Sequence, residues 1–199
     1  MASSGEHEAS RAAHSLLRRH RLTAEQYLRM GELGILPPDA RVELIEGEVI
    51  DMAPTGSRHA GIVRHIARLF ERAVGDAAIV SSHNPIALGS SSQPEPDIAL
   101  LRPRSDFYKS SHPAAADILL VVEVAGTSLQ YDRRIKVPLY ARHGITEVWL
   151  VDIERDRIRA YREPTTTGYR IAQELSRRAT VAPQALAQCA IDLDAVLAR

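Results

Sequence analysis

The run Ile118-Leu119-Leu120-Val121-Val122-Glu123-Val124-Ala125 constrains the fold more than any other stretch of this chain. A continuous apolar run of this length, rich in valine and leucine, predicts a strand buried on both faces, over 117–125. Such a strand belongs to a sheet covered by helices. Glu123 interrupts it with a carboxylate. Burying an unpaired charge costs several kcal/mol, so this side chain has to be paired, protonated or bound to a metal ion. A buried ion pair with an arginine is the plain structural alternative.

The surrounding elements follow from local signals. Thr23-Ala24-Glu25-Gln26 has the form of a capping box and starts a short helix that stops near Gly31 or Gly34. Residues 41–52 read as a hairpin about Glu46-Gly47. Residues 58–75 place Ile62, Ile66, Leu69 and Val74 near helical spacing, with Gly75 as the stop. Strands are expected at 78–88 and 97–101, separated by a polar loop over 89–96. A helix follows over 128–143, with Leu129, Ile135, Leu139 and Tyr140 on one broad face. Pro138 inside it predicts a kink or a late start. Strands at 147–152, 157–162 and 169–174 and a helical or turn segment close the chain, and Trp149 is read as core. The order αβββαβ predicts an α/β (α+β) fold, a mixed central sheet flanked by helices. Residues 1–20 are polar, then basic, and are read as a flexible leader; 21–199 are read as a single domain.

Composition narrows the function classes. Formal net charge is zero, so attraction to a polyanion has to come from local patches. Cys189 stands alone, which excludes an internal disulfide or a multi-cysteine zinc site. No apolar run reaches the length of a membrane span, and no secretory signal is visible, so a cytoplasmic protein is expected. Arginine supplies nearly all the positive charge. Lys109 and Lys136 are the two lysines, and lysine is the cation whose compact ammonium can serve chemistry.

Three residues make more sense together than apart. Asp97 opens its strand and alone reads as a cap or turn residue; Lys136 alone reads as a solvated lysine. Carboxylates from Asp97 and Glu123 on adjacent strands would hold Mg²⁺ or Mn²⁺, hard ions that prefer oxygen ligands, with the main-chain carbonyl of Val124 as a further ligand. A lysine one helical turn from both Asp132 and Tyr140 would orient or deprotonate the attacking water and offset phosphate charge.

Pro96-Asp97 followed by Glu123-Val124-Ala125 resembles the PD-(D/E)xK nuclease motif. More narrowly, the chain resembles the Uma2 family of restriction-endonuclease-like proteins. The stretches that carry this are Glu43 to Glu48, Pro54 to His59, Pro96 to Ala99, Val122 to Val124, Asp132 to Lys136, Tyr140, and Gly144 to Asp152. The general motif has a lysine two residues after the glutamate, on the same strand face, where this chain has Ala125. The resemblance implies that Lys136 replaces it from the next helix.

The resemblance adds Glu43 as a third carboxylate, or else a hairpin edge residue. It adds His59 as a contact to substrate or metal-bound water, or else a capping residue. Tyr140 is placed near Lys136, and Arg133 and Arg134 face a phosphate backbone or water. His65, His83, His112 and His143 show no ligand spacing and are read as structural. The function expected is metal-dependent endonuclease action on phosphodiester bonds in nucleic acid, DNA first, with a homodimer compatible with cutting two strands. The alternative is a nuclease-fold module for nucleic-acid or protein interaction. A metal hydrolase built on His59 ranks last, because no second histidine has metal-motif spacing.

Overall fold

In the computed structural model, which describes residues 19–175 and 179–197, eight of the ten strands fall in the order that the hydrophobic pattern predicts. The leader expected over 1–20 lies outside the described residues except for its last two. Helix α1 (Ala24–Glu32) carries the full capping box: Thr23 accepts from the Gln26 backbone, and the Gln26 side chain accepts from the Thr23 N–H at 2.8 Å. Strands β1 (Val42–Ile45) and β2 (Glu48–Asp51) form the expected hairpin. Its turn places Glu46 at φ 49° and Gly47 at φ 80°. A Cβ on Gly47 would stand 2.7 Å from the Arg21 Cβ, so this position requires glycine twice over.

Helix α2 (Ser57–Val74) buries Val63, Ile66, Phe70 and Val74; Ile66 and Val74 are as expected, whereas Ile62 and Leu69 are only partly buried at the edge of the stripe. Six strands follow: β3 (Ile79–Ser82), β4 (Ile98–Leu101), β5 (Ile118–Ala125), β6 (Glu147–Asp152), β7 (Arg157–Thr165) and β8 (Gly168–Leu175). They form one sheet in the order β3-β4-β5-β6-β7-β8. The β5–β6 pair is parallel and all other pairs are antiparallel, which makes the sheet mixed as expected. A small pair of β9 (Thr180–Val181) and β10 (Ile191–Asp192) and helix α4 (Leu193–Leu197) end the described chain.

All eight residues of β5 are buried. Each fully buried valine or leucine there stabilises the sheet by roughly 1.5–3 kcal/mol. One sheet face packs Leu120, Val122 and Val124 against α2 and the C-terminal segment. The other packs Val121 and Ala125 against Leu139 and Tyr140 of the long helix after β5. Alternation puts Glu123 on this second face, toward that helix.

Two expectations need correction. The strand predicted over 78–88 ends at Ser82. His83 takes φ 53°, and Pro85 removes a donor and keeps Asn84 out of a regular ladder. Residues 83–97 are nevertheless well tied: Gln93 and Leu44 exchange backbone hydrogen bonds, and Ile86 donates to Pro94. That stitching clamps the hairpin onto the sheet and brings β1 beside Glu95.

The helix after β5, α3, is not a plain kinked helix. Leu129–Tyr131 leads into a π turn over Asp132–Lys136, and Val137–Arg142 continues as α-helix. Pro138 has no N–H to give, and the wide turn lies directly before it. The extra residue rotates Ile135 out to 41% exposure, so Ile135 is not on the buried face as expected.

Candidate functional site

Five elements deliver side chains to one cavity of about 560 Å³. Glu43 comes from β1, His59 from the first turn of α2, Glu95 and Asp97 from the segment entering β4, Glu123 from β5, and Asp132 and Lys136 from the π turn of α3. Because β4 and β5 are neighbours in register, Asp97 lies one position before the Ile98–Val122 pair. Its Oδ2 accepts the Val124 N–H at 2.8 Å, and its own N–H approaches Glu123 Oε2 at 3.5 Å.

Lys136 points inward. Its Nζ stands 2.8 Å from Glu123 Oε1 and 3.4 Å from Glu43 Oε2, and donates to the Glu95 carbonyl at 3.4 Å. The π turn makes this possible, since Asp132 and Lys136 are both buried while Arg133, Arg134 and Ile135 between them are exposed. Tyr140, one turn further, donates to Glu123 Oε1 at 2.5 Å. Tyr140 is fully buried, so it supports the glutamate rather than touching a substrate. Glu43 is held by the Tyr131 hydroxyl at 3.1 Å and the Glu95 N–H at 3.1 Å, which orients it toward Lys136.

The charge states follow from burial and neighbours. Burial pushes the Glu123 carboxyl above the ordinary range; Lys136 opposes this, and Asp132 and Asp97 add to it. Burial alone would lower Lys136, but Glu123, Glu43 and Asp132 outweigh it and hold the ammonium above the usual lysine value. The neighbouring carboxylates thus favour the charged form of Lys136, the form that can orient water and offset phosphate charge. Burial also raises Asp132 and Glu95, the latter with help from Glu43.

His59 Nε2 lies 3.2 Å from Asp97 Oδ2, and this bond, opposed by burial, raises the imidazole. The Val124 carbonyl faces the same ring and adds to the rise, although Nδ1, which is buried, finds no hydrogen-bond partner. His83 Nδ1 stands 3.5 Å from Asp97 Oδ1. His83, read as structural, is brought beside Asp97 because the chain turns at the end of β3. Arg134 lies outside the cavity, and Arg133 lines a neighbouring one.

Residues 24–195 match the family described as Uma2, putative restriction endonuclease. The chain belongs to the Uma2 family. Among solved structures it is similar to a putative nuclease belonging to DUF820 from Anabaena variabilis ATCC 29413, at 17% identity and TM-score 0.69, over 88% of this chain and 97% of that one. That likeness concerns the fold. The comparison with curated proteins found no match.

In this Uma2 protein the donor set suits a hard divalent ion. Seven carboxylates line the cavity against three permanently cationic side chains, and all three cations are engaged, Lys136 with Glu123 and Glu43. Arg58 pairs with Glu154 and Asp156, and Arg41 bonds Thr55. Among the described residues no three His, Cys, Asp or Glu side chains converge as a ligand cluster. The arrangement thus does not suit a closed zinc site; it suits an ion that takes one or two carboxylates and fills its shell with main-chain oxygen, water and phosphate.

Asp132, Glu95 and Tyr131 were not singled out as site residues from the sequence. Asp132 carried a usable signal, its four-residue spacing to Lys136. Glu95 and Tyr131 carried none, because their places depend on how the loop before β4 and the start of α3 meet β1.

Proposed function

We propose that this protein is a Mg²⁺- or Mn²⁺-dependent endonuclease that hydrolyses phosphodiester bonds, with DNA as its substrate. The observation that carries this reading is the inward-facing Lys136, 2.8 Å from Glu123 in the cavity that also holds Asp97. Asp97 and Glu123 would bind the metal, with the Val124 carbonyl beside them. When bound, the ion would lower the pKa of a coordinated water and neutralise charge on the scissile phosphate.

The chain's own residues do the rest. Lys136 donates to the attacking water and places its positive charge beside the phosphate. Glu43, Tyr131 and the Glu95 carbonyl fix the lysine's direction. Tyr140 holds Glu123 from below. His59, bonded to Asp97, holds that carboxylate at the cavity wall. A homodimer would present two such cavities to the two strands of a duplex.

The test is cleavage of supercoiled plasmid by purified protein in Mg²⁺ or Mn²⁺. Nicking that EDTA and Asp97→Ala both abolish is the expected result. No cleavage of DNA or RNA, single- or double-stranded, in either metal would remove the reading; so would cleavage retained by Asp97→Ala.

A further inference from the structure

A second cavity of about 250 Å³ lies beside the first, under the start of α3. Arg133 of α3 and Arg155, Arg157 and Arg159 around β7 line it, with Tyr161. Strand alternation puts Arg157, Arg159 and Tyr161 on one face of β7. Two of these cations are committed: Arg155 pairs with Asp152 at 3.1 Å and Arg157 with Glu174 at 3.4 Å. The guanidinium groups of Arg133 and Arg159 have no ion pair or hydrogen-bond partner among the described residues. Tyr161 is 7% exposed, and its buried hydroxyl also lacks a partner. A buried hydroxyl without a partner costs free energy, which an oxygen-rich ligand would recover.

We infer that this cavity is a phosphate subsite, binding a phosphodiester group of the nucleic-acid strand that flanks the scissile one. The inference rests on the nuclease reading and deepens it. Guanidinium groups match phosphate oxygens with paired donors. The position fits as well: Leu129, Gln130 and Arg133 line this cavity while Ser128, Tyr131 and Asp132 line the catalytic one, so neighbouring residues of the start of α3 face the two sites. The catalytic cavity carries an excess of carboxylates and would repel a polyanion. An adjacent pair of uncommitted arginines supplies a local attraction in a chain of zero net charge.

The experiment is fluorescence anisotropy of a short labelled DNA duplex against salt, in Ca²⁺ in place of Mg²⁺ and again in EDTA. Full-length wild type is compared with Arg133→Gln, Arg159→Gln and the double variant. Arg68→Gln on the exposed face of α2 is the charge-matched control. Neither subsite arginine has a partner to orphan, so the variants should unfold like wild type. The slope of log K against log salt should fall by about 1 for each subsite arginine removed and stay unchanged in the control. Binding with an unaltered slope in the double variant, or an equal fall in the control, overturns the subsite and leaves the nuclease reading standing. Failure of wild type to bind in either solution overturns both.

Discussion

Lys136 Nζ stands 2.8 Å from Glu123 Oε1, and both side chains are almost wholly withdrawn from solvent. The general motif would draw its lysine from two residues along the strand. Here that position is Ala125, and a π turn in α3 supplies the ammonium instead. Structure and proposed site are therefore coupled, because the pair to which the proposal gives the chemistry is also buried against the sheet face.

Removing the lysine should show this directly. Lys136→Met leaves Glu123 buried beside Asp132 and Asp97 with no cation, only the Tyr140 hydroxyl and the distant Asp97 N–H as donors. The expected destabilisation is about 3–5 kcal/mol by urea unfolding, the range for breaking one partner of a buried pair. Glu123→Gln combined with Lys136→Met should recover much of that loss, and a strictly additive double variant would contradict the pairing.

Tyr140→Phe removes the hydroxyl that donates to Glu123 and leaves the ring in place. A hydrogen bond to a charged group is worth about 1.5–3 kcal/mol, and the unfolding free energy should fall by that amount. An unchanged midpoint would show that the contact does not bear on stability.

Glu147 tests the other end of the sheet. It is fully buried and accepts from the Trp149 indole at 2.8 Å, Arg162 Nε at 2.9 Å and the Gln184 N–H at 2.6 Å. Glu147→Leu strands these donors and should destabilise the fold by about 3–5 kcal/mol while leaving the cavity chemistry in place. Retention of wild-type stability would contradict this account of the β6–β7 pair.

The His59–Asp97 bond predicts a pH dependence of definite sign. The bond raises the folded-state imidazole above its ordinary 6.5, against the opposing effect of burial. A raised value means a stabilising contribution fully present below the ordinary pKa and lost as pH rises through the folded one. Metal-free NMR titration should place His59 above 6.5, and Asp97→Asn should bring it down. A wild-type midpoint at or below 6.5 would contradict the bond.

The fold was legible in the sequence wherever burial writes a period. Glu123 within its apolar run, the helix α2 and the Glu46-Gly47 turn all declared themselves, although the buried stripe of α2 runs through Val63 and Phe70 instead of Ile62 and Leu69. Regular periodicity carries no signature of a π turn, so it placed Ile135 inward and left the direction of Lys136 to the family resemblance. His83 was missed because its place depends on a strand that stops six residues earlier than its composition suggests. Asp132 was within reach, sharing the face of Lys136, but an aspartate near a helix start reads first as a cap.

The most direct test of the central claim is calorimetric titration of Mn²⁺, carried to millimolar ion, into wild type and into folded Asp97→Ala and Glu123→Ala. The account predicts binding by wild type that both variants lose. No binding by wild type, even with a DNA oligonucleotide present, or undiminished binding by either variant, would contradict it.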